Sequence, residues 1–457
     1  MSNNKYAGDE KEINSVLKYQ DELLKTIEHP DMSVADERIA ESEKLLTSLG
    51  YSLVNTPQLQ LEESKKKVMI VPSWEELVND AESVVGNNVE IEDLFTEEEL
   101  KSNSQAIRML NDEYNTLHKL DKFDVLICVS AGILGAIVDI LLVGIPKKTH
   151  EGLKGGPLSN YVRDWFEKKY PADEMNKLAS QTISKVPYDA QDNRHIKEED
   201  RVEGLSAYYH RLLSLGHDPL LGLLIGVWDI MHGTMTTIDK KGKVANLIME
   251  NYAERKESNV FAAIAKQIIH LKSDITTSMG LPVPLMGLFN LLQFGSIGEE
   301  DQTIAEIVQG MYFEGYDFIH FCSMSIPVMI IEVVVRLGYA IKRIKEGHSI
   351  KESIPVILNR KNHPKLPTML FIGHSVSTAV NAGKILFTKN PMAINYPQWI
   401  SFARYSYKQL KWVLFRKPRL RDAYVRGEIT EKLQEVYDEI DNTFEEFSDD
   451  YIMVINN

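Results

Sequence analysis

The pattern of apolar and polar positions divides the chain near residue 120. Before it, short apolar stripes alternate with acidic faces; after it, long apolar runs follow one another. In the first part, ADERIAESEKLLTSLGYSL (35–53) and SWEELVNDAESVV have the spacing of amphipathic helices, and Ser73 precedes Glu76 at a capping-box interval. EIEDLFTEEELKSNSQAIRMLNDEYNTLHKL predicts one or two further helices with charged outer faces, and QLEESKKKVMIVP a short strand or extended linker. The apolar part begins with VLICVSAGILGAIVDILLVGIP (Val125–Pro146), followed by a loop, KKTHEGLKGGP. Helices are then predicted over Pro157–Tyr170, Gly204–Leu215, Leu220–Met235 and Phe261–Thr277. Two more fall within Glu300–Arg343, where Glu332 and Arg336 can share one face, and others over Thr368–Leu386 and Trp399–Phe415. From Gly427 to about Phe447 the tail is acidic and helical. The polar stretch Pro171–Arg201, with VPYDAQDNRHIKEED, reads as an exposed loop. Convincing strands are scarce, so the expected class is all-α: an acidic helical appendage (1–120), an apolar helical body (121–426) and an acidic helical tail (427–457).

Helix signals are sharpest around Asp218-Pro219. Asp accepts hydrogen bonds from free first-turn amides and Pro suits the first helical position. The following run is apolar nearly all round, as in a buried core helix or a membrane span. It contains Gly222, Gly226 and Gly233, although glycine costs roughly 1 kcal/mol in a helix interior. Close approach between helices is the expected compensation. Asp229 within the run needs a partner, because an unpaired buried carboxylate is costly.

Length and charge narrow the function. The 457 residues suffice for two or three domains, and the net charge of −15 argues against nucleic-acid binding. Cys128 and Cys322 both lie in apolar runs and read as buried thiols of a reducing compartment. MSNNKYAGDEKEINSV carries no signal-peptide pattern, so a cytoplasmic protein is expected, with membrane association left open. A span needs about 20 apolar residues. Val125–Pro146 nearly qualifies but holds Asp139; Ile275–Gly298 holds Pro282 and Pro284; Phe318–Ile331 is short before Glu332. Leu366–Gly383 holds His374, Ser375, Ser377, Thr378 and Asn381.

Candidate chemistry is confined to histidines and carboxylates. His270 and Asp274 are four residues apart and point the same way on a helix. His210 and His217 are seven apart, with Gly216 and Asp218-Pro219 breaking the helix between them. With Asp139, Asp229, His232 and His374 in other apolar helices, convergence would give a mixed site for zinc or iron. The spacing matches neither HExxH nor paired CxxC, and each polar residue can equally be a hydrogen-bonded core group. No GxSxG elbow, P-loop or dinucleotide fingerprint occurs, and Ser278 and Ser375 read as packing or capping residues. The HxxxD element of membrane-type acid phosphatases lacks its companion motifs here. One basic segment stands out, YSYKQLKWVLFRKPRLRDAYVR (405–426). Lys408, Lys411, Arg416, Lys417 and Arg419 with Trp412 and Phe415 could meet an anionic membrane surface or an acidic partner, or dock on the protein's own acidic tail.

HRLLSLGHDPLLGLLIGVWDI, HLKSDITTSMGLPVPL and HPKLPTMLFIGHSVSTAVNAGKI resemble segments of a group of bacterial helical proteins carried on variable or mobile genome regions. The resemblance covers about residues 123–415. It implies no established activity and leaves open a role in defence or conflict. The leading expectation is therefore a non-enzymatic interaction or effector protein that binds a protein partner or itself. The alternative is a metal-dependent enzyme with a divalent ion at His210, His217, His270 and Asp274.

Overall fold

The computed structural model describes residues 7–27, 40, 42, 44–45, 48, 67–150, 152–277, 280–297, 301–355 and 360–455. Ser278 lies outside the described residues, as does most of the helix expected over 35–53. The protein is mostly α-helical, in agreement with the apolar periodicity, and its strands are at most five residues long.

The N-terminal part contributes α1 (Ala7–Ile27), β1 (Lys67–Val71), α2 (Trp74–Val85) and α3 (Glu97–His118). The capping box forms as its spacing predicts: Ser73 Oγ accepts from Glu76 N at 3.3 Å, and Glu76 Oε2 accepts from Ser73 N at 3.0 Å. Helix α1 packs on α2, with Ser15 Oγ donating to Gly86 O at 2.9 Å.

The apolar body opens with α4 (Lys122–Val138), capped by Asp121 and continued without interruption by a wide π turn, Asp139–Val143. The expected loop after it contains a two-stranded hairpin, β2 (Lys147–Thr149) and β3 (Gly152–Lys154). Next come α5 (Pro157–Lys169), α6 (Ala172–Ala179) and α7 (Ile225–His232). A second hairpin, β4 (Thr234–Ile238) and β5 (Val244–Ile248), follows, and then α8 (Val260–Asp274), α9 (Ile304–Phe313), α10 (Phe318–Lys345), α11 (Leu366–Thr388) and α12 (Tyr396–Lys411). The last elements are α13 (Lys417–Asp450) and β6 (Tyr451–Ile455), which pairs in parallel with β1 from Lys67↔Tyr451 to Val71↔Ile455. That pairing groups residues 417–457 with 1–116 as one compact unit, leaving 117–416 as the other. The acidic tail from 427 thus belongs to the same unit as residues 1–116.

Three expected elements differ from those observed. The helix over Leu220–Met235 is a 3₁₀ turn at Leu221–Leu223 followed by α7, which Gly233 ends in the left-handed conformation at φ 73°. The run Thr234, Thr236, Thr237 and Ile238 then favours a strand, and Met235 is buried as part of that strand. The helix over Gly204–Leu215 is reduced to His210–Leu213, because Gly204 (φ 79°) and the turns after it use up the first half. Finally, Pro171–Arg201 is not wholly exposed: Val186, Tyr188 and Ala190, at alternate positions, are fully buried.

Within the body two packing regions matter. Helices α4, α10, α11 and α12 form a bundle around Cys128, Ile331, Val335, Leu370 and Tyr405. Helices α4 and α11 nearly touch; a Cβ built on Gly132 would lie 2.5 Å from Gly373 O. A separate core of Val186, Tyr188, Leu213, Ile230, Met235 and Met249 supports the loop at 184–190 and the turns at 210–217.

Candidate metal centre

Helix α8 provides the rigid side of the site. Asn259 Oδ1 caps it by accepting from Phe261 N and Ala262 N, and one buried face carries Gln267, His270 and Asp274. Opposite it, the chain turns twice in quick succession, through His210–Leu213 and then the 3₁₀ turn Leu215–His217. This break turns His217 back toward His210, with the two rings perpendicular and their centroids 5.3 Å apart. The buried segment Val186–Ala190 closes the third side and contributes Asp189.

All four residues of the expected metal set meet here, joined by Asp189. His217 Nε2 lies 3.8 Å from Asp189 Oδ1 and 3.9 Å from Asp274 Oδ2. His210 Nε2 is 3.8 Å from Asp189 Oδ1, and His270 Nε2 is 3.6 Å from Asp274 Oδ2. Two overlapping triads result, Asp189–His210–His217 and His217–His270–Asp274, each with its ligand atoms within 4.8 Å of one another. These separations are too long for hydrogen bonds. They suit atoms bound to a shared ion at about 2.0–2.2 Å each.

Hydrogen bonds behind the site aim its atoms inward. His270 Nδ1 faces Ser184 O at 2.9 Å and His210 Nδ1 faces Ala207 O at 2.9 Å. In each ring the proton belongs on Nδ1, so Nε2 presents its lone pair to the site. Arg211 Nη2 donates to Asp274 Oδ1 at 2.9 Å, and Arg211 Nη1 donates to Thr277 Oγ1 at 2.7 Å. Asp274 Oδ2 is left facing the histidines. Gln267 Nε2 donates to Gly216 O at 2.8 Å, while Gln267 Oε1 accepts from the Tyr188 hydroxyl. The Tyr188 ring stands edge-on to His217 and His270, with centroids 5.1 and 5.4 Å away.

These buried side-chain atoms have unmet bonding capacity: His217 Nδ1 and Nε2, His270 Nε2 and Asp274 Oδ2 have no hydrogen-bond partner. Each such group costs roughly 1–3 kcal/mol when left unsatisfied. Burial lowers the His210 pKa to about 4, helped by the neighbouring His217 and Arg211, and burial likewise lowers that of His270. Both imidazoles are therefore neutral at neutral pH, the form that binds metal. At Asp189 burial pushes the pKa up, but the facing His217, His270 and His210 outweigh it and hold the carboxyl well below its usual range. Asp189 is also the open edge of the cluster. Its side chain is 28% exposed, against 0–5% for the other four.

The remaining candidates lie elsewhere and have local partners. Asp229 accepts from Thr234 Oγ1 at 2.6 Å, Thr236 N at 2.8 Å and Thr236 Oγ1 at 2.8 Å, fastening α7 to β4. Asp139 accepts from Asn381, Lys384 and Asn395 at 2.7–3.0 Å. His374 packs among Glu332, Gln398 and Tyr405, and His232 stacks on Trp228. Ser375 Oγ donates to Phe371 O one turn back. In the basic segment Lys408, Lys411, Phe415, Arg416 and Arg419 are exposed and Lys417 is half-buried. Trp412 is 5% exposed, with its ring against His118 and the Arg360 guanidinium, so it cannot serve as a surface contact as expected.

Asp189 was the ligand hidden from the sequence reading. It follows a turn at Pro187-Tyr188, closed by Asp189 N donating to Val186 O at 3.4 Å, and no spacing ties it to the histidines. Compared with protein families, curated proteins and solved structures, the chain matches none.

Proposed function

We propose that the protein is a metal-dependent enzyme. His217, shared by the two triads, would hold a divalent ion together with His210, His270, Asp274 and Asp189. The observation that supports this most strongly is the set of buried, unsatisfied ligand atoms converging on His217. Three imidazoles with two carboxylates and no thiolate suit zinc, iron, manganese or cobalt. Such an ion polarises a bound oxygen and lowers the pKa of coordinated water, which supports hydrolysis. Substrate would approach past Asp189, where the site meets solvent.

Metal analysis of protein purified without chelator tests the reading. A stoichiometric transition metal is expected, and it should be lost in His217→Ala and His270→Ala while the helical circular dichroism is retained. Wild-type protein that binds no ion on addition of zinc, manganese, iron(II) or cobalt sinks it.

A further inference from the structure

The bundle of α4, α10, α11 and α12 has a surface unlike that of a soluble core. Among the described residues, two helical stretches are long and apolar enough to cross a membrane, Glu97–Val143 and Phe318–Lys345. From Lys122 to Val143 the helix runs 22 residues, about 33 Å at 1.5 Å per residue. A bilayer's hydrocarbon core is about 30 Å thick. Leu126, Leu134 and Leu141 are 43–64% exposed along one side of it. On α10, Met329, Val333 and Leu337, spaced by four, are 54–61% exposed.

The two stripes belong to one slab, because the helices are tightly packed and antiparallel. Gly338 meets Ile127 and Gly135 meets Ile331, leaving no space for a Cβ. At one end Lys342 Nζ lies 2.6 Å from Asp124 Oδ1, and Lys365 Nζ lies 3.5 Å from Asp124 Oδ2. Helix α11 runs parallel to α4, so that Lys384 pairs with Asp139 at 3.0 Å towards the other end. Helix α12, 16 residues long, packs back along α11 and α10. Among the polar groups of these helices, Asp139 is paired with Asn381, Lys384 and Asn395, and Glu332 with Arg336 and His374, while Arg404 on α12 is exposed.

Charge at the two ends is unequal. The loop 346–365 carries Lys351, Arg360, Lys361 and Lys365, and the flanking helix ends add Lys342, Arg343, Lys408 and Lys411. At the opposite end the connection 389–395 carries Lys389, the end of α11 adds Lys384, and the residues after α4 add Lys147, Lys148 and Lys154, fewer cations than at the first end. Lysine and arginine in short loops are retained on the cytoplasmic side, facing anionic lipid. We infer that α4 and α10, with α11 and α12 packed against them, cross a lipid bilayer with residues 346–365 on its cytoplasmic face. The segment 144–317, with the His/Asp cluster, then lies on the other face. The inference does not depend on whether that cluster holds an ion.

Flotation on a density gradient after a high-pH carbonate wash tests the crossing, since lipid-embedded protein rises and aggregate stays at the bottom. Sidedness is read separately, in unbroken cells, on the full-length chain with Cys128 and Cys322 replaced by alanine, carrying Lys241→Cys or Lys351→Cys. A membrane-impermeant maleimide should label Lys241→Cys in intact spheroplasts and Lys351→Cys only after lysis. Wild-type protein that stays in the soluble fraction or fails to float overturns the inference. So does labelling of both positions alike, or in the reverse order.

Discussion

Arg211 and Asp274 divide a carboxylate into two halves with different tasks. Arg211 Nη2 holds Asp274 Oδ1 at 2.9 Å, and Asp274 Oδ2 is thereby fixed 3.9 Å from His217 Nε2. The guanidinium is anchored in turn by Thr277 Oγ1 and Gly280 O, so the carboxylate has little freedom to turn. A lysine could supply the charge but not this fork of contacts. Arg211→Lys should therefore leave the fold intact and weaken metal binding about 10–100-fold, the range for loss of a group that orients a ligand. Titration with a competing chelator checks this; unchanged affinity would show that Asp274 needs no orientation.

Asp189→Asn separates the open edge of the site from its buried wall. Its side chain keeps its size but loses the charge, and His210, His217, His270 and Asp274 remain in place. The variant should fold as wild type and bind metal more weakly, but more tightly than His217→Ala. Equal loss in the two variants would mean that the ion's position is not centred on His217.

Glycine at 222 serves the site from a distance. A Cβ there would lie 2.4 Å from Gly216 O and 2.7 Å from Gln267 Nε2. The clash with backbone cannot be relieved by turning a side chain, and Gly216 immediately precedes His217. Gly222→Ala should cost about 1–3 kcal/mol, the usual range for overpacking, and should lower metal occupancy as well. Thermal melting with metal analysis of the same sample reads both effects.

Asp229 is structural despite its burial in an apolar helix. Asp229→Ala would leave Thr234, Thr236 N and Thr236 Oγ1 without their acceptor. At roughly 1–3 kcal/mol for a buried unsatisfied group, destabilisation should be at least about 2 kcal/mol. Metal content per folded molecule should not change. Urea denaturation gives the first quantity; a midpoint equal to wild type would contradict the assigned role.

Periodicity revealed the long helices because their burial is decided locally, by which face each residue occupies. The glycines around Asp218 likewise announced close approach, and Gly222 and Gly226 do press against Gln267. His270 and Asp274 could be paired from the sequence alone, since four residues is one helical turn. His210 and His217 meet through a break in the helix rather than along one, which their spacing alone does not specify. Asp189 was obscured further: it follows Tyr188, whose burial depends on contacts with His217 and Gln267 that are distant in sequence. Trp412 shows the opposite failure, an aromatic in a basic stretch that turns inward because Arg360 and His118 lie beneath it.

The partners of Asp139 come late. Asn381, Lys384 and Asn395 follow it by 242, 245 and 256 residues. At about 5–20 residues per second, a ribosome takes about 12–50 s to reach them. Throughout that interval the first long apolar helix exists with an uncompensated carboxylate near its end. Its nascent form must be sheltered, or held back from its final depth, until α11 and the turn before α12 have been made. The order of synthesis thus makes the last two helices of the bundle a condition for settling the first.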